Sequence, residues 1–324
     1  MKHALGIDIG GTKIALGVVA ENGTLLASTT LPTDSRLGFK SAVQRMCHAA
    51  RKLFQSSDTA ATQLAGIGVG CTGPVNPLTG VVDNPHTLPG WDGCNLIEAL
   101  SAEFNLPTWL ENDADAAAYG EYHFGAGEKA DRLVMLTFGT GVGGAAVLKG
   151  EIYRGAGGGH PELGHLPVTN DGPLCYCGRK GCVESLASGP AIARVASELG
   201  FASADAVFAA KGDNASASKA LIQARDAVAT ATWSILHSFL PDRIVFGGGL
   251  VDAYPIFFVE AARATIARAR LLDTTAVTVA PARLGNLAGL VGAARWAIDQ
   301  QVLGYPRSEV HPPATRSQAM LPKL

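Results

Sequence analysis

The sequence predicts an α/β protein of two domains, and three observations lead to that prediction. Short apolar runs typical of strands alternate with segments of helical periodicity. A strand, a turn rich in glycine and threonine, and a second strand occur early in each half of the chain, which suggests a duplicated architecture. The length of 324 residues is sufficient for two domains of ordinary size.

The first glycine-rich turn is the run Asp8-Ile9-Gly10-Gly11-Thr12-Lys13, which lies between two apolar runs. Asn22-Gly23, a dipeptide typical of β-hairpins, joins the second of these runs to a third. Because glycines have no Cβ, a polyanion can approach their backbone N–H groups closely, and Asp8 can hold a hydrated metal ion. Since a strand follows the turn, we expect a phosphate site of hairpin type and not a Walker A loop.

The rest of the first half alternates between helix and strand. Helical spacing is found over 39–54, 96–104 and 114–124, and strand-like runs over 64–71 and 106–110. The last of these strands is predicted to carry Glu111-Asn112-Asp113 at its C-terminal end. Asp113 would then lie at the start of a helix, where the helix dipole favours the ionised carboxylate.

Two interpretations of Asp113 stay open on spacing alone. A carboxylate at the end of a strand, between two phosphate turns, suits a general base that takes a proton from an attacking hydroxyl. A helix N-cap, which Asn112 or Asp113 could supply, explains the same residues equally well.

The second half begins with the same pattern, because Gly139-Thr140-Gly141-Val142-Gly143-Gly144 separates strand-like runs over 132–138 and 145–148. The segment 150–190 is rich in glycine, proline and cysteine and is predicted to contain no regular structure. Helices are expected over 191–199, 216–239, 254–269 and 289–298, and strands over 243–246 and 276–280. Gly247-Gly248-Gly249 follows a strand and could offer flat backbone to an adenine ring.

Three cysteines, Cys175, Cys177 and Cys182, lie within one short glycine-containing segment. Three thiolates and one imidazole form a closed structural zinc site, which would fold a loop that has no hydrophobic core of its own. His165 is the nearest candidate for the fourth ligand, with His160 as its competitor. The alternative is that the three residues are unrelated buried thiols.

Polar side chains flank the cysteine segment. Glu162, His165 and Glu184 could bind a polyol, because each sugar hydroxyl both donates and accepts a hydrogen bond. The alternatives are a surface carboxylate for Glu184 and a hydrogen-bonded loop histidine for His165.

Composition excludes several classes of protein. The formal net charge of −2 gives no indication of a nucleic-acid surface, and no apolar stretch is long enough to cross a membrane. The first residues contain no signal-peptide core. We therefore expect a cytoplasmic protein without nucleic-acid or membrane partners, in which cysteines are thiols or metal ligands rather than disulfides.

Five motifs occur in order along the chain, and together they closely resemble the ROK family of sugar kinases and repressors. The resemblance covers residues 4 to 300 approximately and places the chain in the actin-like ATPase (ribonuclease H-like) superfamily. The motifs are Asp8-Ile-Gly-Gly-Thr-Lys13, Glu111-Asn-Asp113, Gly139-Thr-Gly-Val-Gly143, Glu162-Leu-Gly-His165 and Cys175-x-Cys177-Gly-x-x-Gly-Cys182-x-Glu184.

The resemblance implies an ATP- and Mg²⁺-dependent hexose kinase, with glucose 6-phosphate as the expected product and Asp113 as the base. By the family pattern, the sugar-binding residues are Asn112, Asp113, Glu162, His165 and Glu184. The ligands of structural zinc are His165, Cys175, Cys177 and Cys182.

The family pattern also implies how ATP and Mg²⁺ bind. The phosphates of ATP would contact Gly10, Gly11, Thr12, Lys13, Gly139, Thr140, Gly141 and Gly143. The adenosine would contact Gly247, Gly248 and Gly249, and Asp8 would help to place Mg²⁺.

The resemblance also implies an organisation in two domains that close over the sugar, and a homodimer. A small domain would span 1–115 and be completed by a C-terminal helix at about 287–302. A larger domain over 116–286 would carry the zinc loop and the dimer surface. Separately, the polar, proline-containing composition of 305–324 predicts a loose tail.

The choice of sugar stays open among members of this family. The segment from Asn84 to Trp91 resembles a loop of bacterial glucokinases, whereas His160-Pro161 replaces the Ala-Gly of many members and resembles a fructokinase-like branch. Because motifs shared by the whole family cannot choose the sugar, kinases of N-acetylglucosamine, N-acetylmannosamine, fructose, mannose or allose are alternatives. A repressor is not expected, because no room precedes Asp8 for a DNA-binding domain, and retention of Asp113, Asp8 and both phosphate turns argues against a non-catalytic sugar sensor.

Overall fold

The computed structural model describes residues 1–57, 59, 61–196 and 201–303. The expected tail at 305–324 and the end of the helix expected over 191–199 lie outside these residues. Two five-stranded sheets dominate the described part of the chain. None of its helices combines the length and the hydropathy needed to cross a bilayer.

The strands are β1 His3–Ile9, β2 Lys13–Ala20, β3 Leu25–Pro32, β4 Leu64–Cys71, β5 Val75–Asn76, β6 Val81–Val82, β7 Thr108–Asn112, β8 Arg132–Phe138, β9 Val142–Leu148, β10 Glu151–Ile152, β11 Arg243–Gly247 and β12 Thr278–Pro281. The helices are α1 Phe39–Ser56, α2 Leu96–Phe104, α3 Asp113–Phe124, α4 Val183–Ala187, α5 Gly189–Ala196, α6 Ala204–Ala209, α7 Ala215–Phe239, α8 Gly249–Ala253, α9 Pro255–Ile266 and α10 Ala288–Leu303.

The two sheets repeat one topology. The first has the order β3-β2-β1-β4-β7 and the second the order β10-β9-β8-β11-β12. In each sheet an antiparallel three-stranded meander is extended by two parallel strands. This repetition agrees with the duplicated architecture that the two glycine-rich turns suggested, and the predicted actin-like α/β fold is confirmed.

Each sheet has its own hydrophobic core. The first core joins the inner face of β1, β2 and β4 to α1 and α2, with Trp91, Met46 and Leu100 fully buried. The second joins β8 and β11 to α7 and α9, with Phe138, Phe246 and Phe258 fully buried. The helices present apolar faces to the sheets, and the central strands β1, β4, β8 and β11 are buried along most of their length, as expected for parallel strands.

The helix α10 follows the second sheet in the chain but packs on the first, against β1, β4 and α3. Glycines permit this close approach. A Cβ on Gly68 of β4 would overlap the carbonyl of Ala293, and a Cβ on Gly292 would overlap the carbonyl of Ala116 in α3. The packing therefore depends on the backbone of α10 reaching its neighbours directly.

The prediction that 150–190 contains no regular structure is wrong in part. This segment includes β10, the short helix α4 and the start of α5. Val183, Leu186 and Ala187 of α4 are buried in the second core, so tertiary packing stabilises a helix that glycine and proline content argued against. The short helices α6 and α8 were likewise not predicted.

Candidate active site

The first group of predicted site residues lies where the parallel strands β1, β4 and β7 end. Asp8, Gly70 and Glu111 occupy equivalent register positions on these neighbouring strands, and Asn112 is one residue further along. A Cβ on Gly70 would lie 3.8 Å from Oδ1 of Asp8 and 3.7 Å from Cα of Asp113. Gly70 therefore lies between the two candidate acidic residues, and both of them are close to it.

Asn112 and Asp113 both accept a hydrogen bond from the same backbone group at the start of α3. Asn112 is the N-cap of α3, and its side-chain oxygen accepts a hydrogen bond of 2.8 Å from the N–H of Ala114. Oδ1 of Asp113 accepts from the same N–H at 2.9 Å. Among the described residues, no hydrogen bond reaches the other oxygen of Asp113, so this oxygen is free to meet a substrate.

The environment raises the pKa of Asp113. Burial has the largest effect, while the hydrogen bond from Ala114 and the positive charge of His160 act in the opposite direction. The negative charges of Asp115 and Glu162 add to the upward shift of this pKa. A carboxylate whose pKa is closer to neutrality is a better proton acceptor than an ordinary aspartate.

Asp8 competes with Asp113 for ionisation. Burial and then the charge of Asp113 raise the pKa of Asp8 to about 7, and the charge of Lys13 opposes this shift. Two neighbouring carboxylates of this kind are stabilised by a cation placed between or beside them. The oxygen donors suit Mg²⁺, which prefers carboxylates and water.

The first glycine-rich turn begins directly after Asp8. The N–H of Gly10 donates a hydrogen bond of 2.9 Å to the carbonyl of Lys13, and the hydroxyl of Thr33 donates one of 2.7 Å to the carbonyl of Gly10. Thr12 and Lys13 are exposed. The turn is therefore stabilised by a hydrogen bond between its own residues and by one from Thr33 at the end of β3. Its outer side is exposed to solvent.

The second glycine-rich turn lies at the corresponding edge of the second sheet. The N–H of Gly139 donates to the carbonyl of Gly141 at 2.9 Å. Gly247 pairs in register with Thr137, and Gly248, whose φ is 89°, leaves no room for a Cβ against the backbone of Phe138. The Gly247-Gly248-Gly249 run therefore lies directly beside the turn.

The second turn also contacts the helix that carries Asp113. A Cβ on Gly143 would lie 3.3 Å from Cβ of Ala114 at the start of α3. Oε2 of Glu184, in the first turn of α4, accepts a hydrogen bond of 2.8 Å from the N–H of Val142. The structure thus brings Asp113, the second turn and Glu184 together.

The cysteine segment forms a compact four-residue cluster. The donor atoms of His165, Cys175, Cys177 and Cys182 all lie within 4.8 Å of one another. Nδ1 of His165 is 3.4 Å from Sγ of Cys175, and Sγ of Cys177 is 3.5 Å from Sγ of Cys182. A tetrahedral zinc ion with Zn–S bonds of about 2.3 Å places its sulfur ligands about 3.8 Å apart, so the cluster fits structural zinc.

His165 and His160, the two candidates for the fourth ligand, are separated by the structure. His165 lies with the cysteines, whereas Nδ1 of His160 is 2.9 Å from Oδ2 of Asp115. The cluster supports His165 as the ligand and leaves His160 with a different partner.

A charged network beside Asp113 was missed by the sequence interpretation. Arg154 binds both Glu111 and Asp115 through its guanidinium, and Asp115 also contacts His160. The side chain of Asp115 is fully buried. Burial raises the pKa of Glu111 to about 7, although the charge of Arg154 opposes the shift. One signal in the sequence is that Asp115 is a charged residue inside an alanine-rich helical segment.

Comparisons with known proteins point to one family. The model of the ROK family matches residues 4–300. A glucokinase from Thermotoga maritima is 33% identical over 272 residues, which are 78% of this chain and 84% of that protein. An N-acetylmannosamine kinase from Salmonella typhimurium is 33% identical over 297 residues, which are 90% of this chain and 96% of that protein.

A solved structure supports the same relationship. The crystal structure of a ROK family glucokinase from Streptomyces griseus in complex with glucose and AMPPNP has a TM-score of 0.74 to this chain and 31% sequence identity. The match covers 92% of this chain and 99% of that one.

Proposed function

The chain belongs to the ROK family, and on that premise we propose that it is an ATP-dependent hexose kinase that converts glucose to glucose 6-phosphate. The observation that carries the proposal is the position of Asp113. It begins α3, has one oxygen without a hydrogen bond among the described residues, and lies beside Asp8 and the Gly139–Gly143 turn. A base placed between two phosphate turns suits transfer of a phosphoryl group to a hydroxyl.

Asp113 is proposed to accept the proton of the 6-hydroxyl as the hydroxyl oxygen attacks the γ-phosphorus of ATP. The new bond is an O–P bond to the sugar, the bond that breaks joins the γ-phosphorus to the bridging oxygen, and ADP leaves with the electron pair. Mg²⁺, placed with the help of Asp8, would neutralise charge on the phosphates. The raised pKa of Asp113 is consistent with this role.

ATP is proposed to bind along the edges of both sheets. Gly10, Gly11, Thr12 and Lys13 would contact its phosphates from one side, and Gly139, Thr140, Gly141 and Gly143 from the other. The Gly247-Gly248-Gly249 run, which lies against the second turn, would border the adenosine. Backbone N–H groups of such turns suit phosphate because no Cβ blocks the approach.

Glucose is proposed to contact Asn112, Asp113, Glu162, His165 and Glu184. The negative charge of Glu162 raises the pKa of Asp113, which supports their sharing one site. In His165, Nδ1 faces the cysteines, so Nε2 remains for a sugar hydroxyl. Zinc bound by His165, Cys175, Cys177 and Cys182 would then fix the orientation of this imidazole without taking part in the chemistry.

The remaining expectations about organisation are also proposals. The division into domains 1–115 and 116–286, with α10 completing the first, is consistent with the packing of α10 on β1 and β4. A homodimer, the absence of nucleic-acid partners and a cytoplasmic location are proposed on the basis of the family resemblance and the sequence.

The test is a coupled assay of ADP release over a panel of hexoses and N-acetylhexosamines. We expect glucose to give the highest kcat/KM. The similarity to an N-acetylmannosamine kinase makes that activity the alternative, and a strong preference for an N-acetyl sugar would reject the glucose assignment. Absence of ADP release with every sugar would reject the kinase proposal itself.

A further inference from the structure

We propose that His160, oriented by Asp115, is an additional sugar-binding residue that donates a hydrogen bond from Nε2 to a hydroxyl of the hexose. The inference rests on the proposed hexose-kinase function and adds a residue to the same site. His160 lies outside the residues to which the family motifs assign the sugar, so the contact is argued from this structure alone.

The first argument is the orientation of the imidazole. Nδ1 of His160 is 2.9 Å from Oδ2 of Asp115, and the side chain of His160 is 10% exposed while that of Asp115 is fully buried. Since this carboxylate occupies Nδ1, the ring cannot rotate freely and Nε2 points away from Asp115. Among the described residues, no hydrogen bond reaches Nε2, although the ring is mostly buried.

The second argument is how firmly Asp115 is held. Arg154 binds Asp115 with one guanidinium nitrogen and Glu111 with another. Asp115 belongs to the first turn of α3, and Glu111 belongs to β7. The network therefore fixes the imidazole relative to the same strand and helix that carry the proposed base. A ligand contact held by packed side chains in this way loses little entropy on binding.

The third argument is that His160 interacts electrostatically with residues to which the sugar is assigned. Burial alone would lower the pKa of His160, but the hydrogen bond and charge of Asp115, followed by the charges of Glu162 and Asp113, raise it overall. In turn, the charge of His160 lowers the pKa of Asp113 and of Glu111. His160 is thus within electrostatic reach of Glu162 and Asp113, two residues assigned to the sugar.

Charge balance agrees with this role. Arg154 binds Asp115 and Glu111, and the carboxylates of Asp113 and Glu162 add negative charge around His160. A protonated imidazole at His160 would offset part of this charge in a buried setting where an uncompensated charge is unfavourable. In that form Nε2 carries a hydrogen and can only donate, which suits the lone pairs of a sugar hydroxyl.

The principal test uses His160→Ala, His160→Gln and the control His48→Ala, which alters an exposed histidine on α1. We expect His160→Ala to raise KM for glucose about tenfold, the effect of one lost hydrogen bond to substrate, with a smaller change in kcat and in KM for ATP. His160→Gln retains a donor and should recover part of the loss. His48→Ala should match the unaltered protein.

A panel of deoxy sugars identifies the contact itself. In the unaltered enzyme, kcat/KM for one of 2-deoxyglucose, 3-deoxyglucose and 4-deoxyglucose should be about tenfold below kcat/KM for glucose, because His160 then lacks its hydroxyl partner. For that sugar, the penalty for the missing hydroxyl should disappear in His160→Ala, because both partners of the same hydrogen bond are then absent. Equal penalties in both proteins for every deoxy sugar would overturn the proposal.

The role of Asp115 is tested by combining Asp115→Asn with His160→Ala. Asp115→Asn should raise KM for glucose less than His160→Ala, and adding it to His160→Ala should raise that KM no further. Zinc content and Tm measured on each preparation separate this effect from damage to the metal cluster or the fold. If the unaltered protein phosphorylates no hexose, the proposed function fails; if it phosphorylates glucose but His160→Ala leaves KM unchanged, only this inference fails.

Discussion

Asp113 owes its proposed role to its neighbours rather than to its own chemistry. Asn112 caps α3, so the structure does not need the carboxylate of Asp113 for capping. Burial together with the charges of Asp115 and Glu162 raises the pKa of Asp113, and the hydrogen bond from Ala114 and the charge of His160 restrain the shift. The residue is thereby set apart from an ordinary surface aspartate.

Replacing the proposed base tests this assignment directly. We expect Asp113→Asn to bind glucose with little change, because the amide keeps the shape and a hydrogen-bond acceptor. Turnover should fall by about two to four orders of magnitude, the usual loss when a general base is removed. Glucose binding is measured by calorimetry and turnover by ADP release.

The control for this experiment is Asp226→Asn, which makes the same chemical change on the exposed face of α7, where the side chain of Asp226 is 68% exposed. Its turnover and its affinity for glucose should match those of the unaltered enzyme. Near-normal turnover in Asp113→Asn would reject Asp113 as the base.

Asp8 is predicted to reduce the stability of the protein in the absence of ligands. Its folded pKa of about 7 exceeds the ordinary value of 3.8, so the folded state keeps a proton that the unfolded chain has already lost. Asp8 therefore reduces stability progressively as the pH rises from about 4 to about 7. Asp8→Asn, which is always neutral, should raise Tm by a few degrees at pH about 8 and by much less at pH about 4.5.

The experiment is thermal unfolding without Mg²⁺ or nucleotide, again with Asp226→Asn as the control. Because the side chain of Asp226 is largely exposed, its substitution should have little effect on Tm at either pH. An equal change in Tm at both pH values for Asp8→Asn would contradict the assigned cause. The same variant should lose most of its kinase activity if Asp8 helps to place Mg²⁺.

The cysteine loop is rich in glycine and cysteine, and the proposed zinc would take the place of a hydrophobic core there. Cys177 is exposed, while Cys175 and Cys182 are buried. The loop is also joined to the rest of the protein by a β-bridge between Pro167 and Cys182 and by the start of α4. Without the proposed zinc, the segment that holds His165 and precedes Glu184 would rely on attachments of this kind.

Zinc removal is expected to affect sugar binding more than nucleotide binding. Cys177→Ser should lower the zinc content from near one ion per chain, raise KM for glucose and increase proteolysis within 166–182. Mass spectrometry under native conditions measures the metal, and limited proteolysis locates the cut. Cys47→Ser, in α1 and outside the cluster, is the control; a full zinc content in Cys177→Ser would contradict the ligand assignment.

The two halves of the chain are connected through α3 and α10. Tyr119 of α3 donates a hydrogen bond of 2.7 Å to Asp299 of α10. Glu121 near the other end of α3 is fully buried, and it accepts hydrogen bonds from the N–H groups of Ala126, Arg283 and Leu284. The carboxylate of Glu121 therefore binds both the segment before β8 and the segment after β12.

A substitution at Gly292 tests whether the close packing of α10 contributes to the stability of the protein. An alanine at this position would overlap the carbonyl of Ala116 in α3. We expect Gly292→Ala to destabilise the protein by about 1 to 3 kcal/mol, the usual effect of overpacking, and to lower Tm by several degrees. The measurement is denaturant or thermal unfolding followed by circular dichroism.

The control for this prediction is Gln301→Ala on an exposed position of the same helix. Alanine favours helix formation over glycine by about 1 kcal/mol, so helix propensity alone would make Gly292→Ala more stable. A rise in Tm for Gly292→Ala would therefore mean that propensity outweighs the overlap with Ala116.

Local patterns in the sequence determined the features that depend on neighbouring residues. Glycine in the two turns, the cysteine spacing and the alternation of apolar runs predicted the position of the two turns, the grouping of the three cysteines and the order of most elements, because turn geometry and periodicity are short-range properties. Only the tertiary structure decided which distant residues meet. Asp115 reaches Arg154 and His160, which are 39 and 45 residues away, and α10 returns to the first sheet. These contacts depend on how two sheets and their connecting helices pack, which no local pattern specifies.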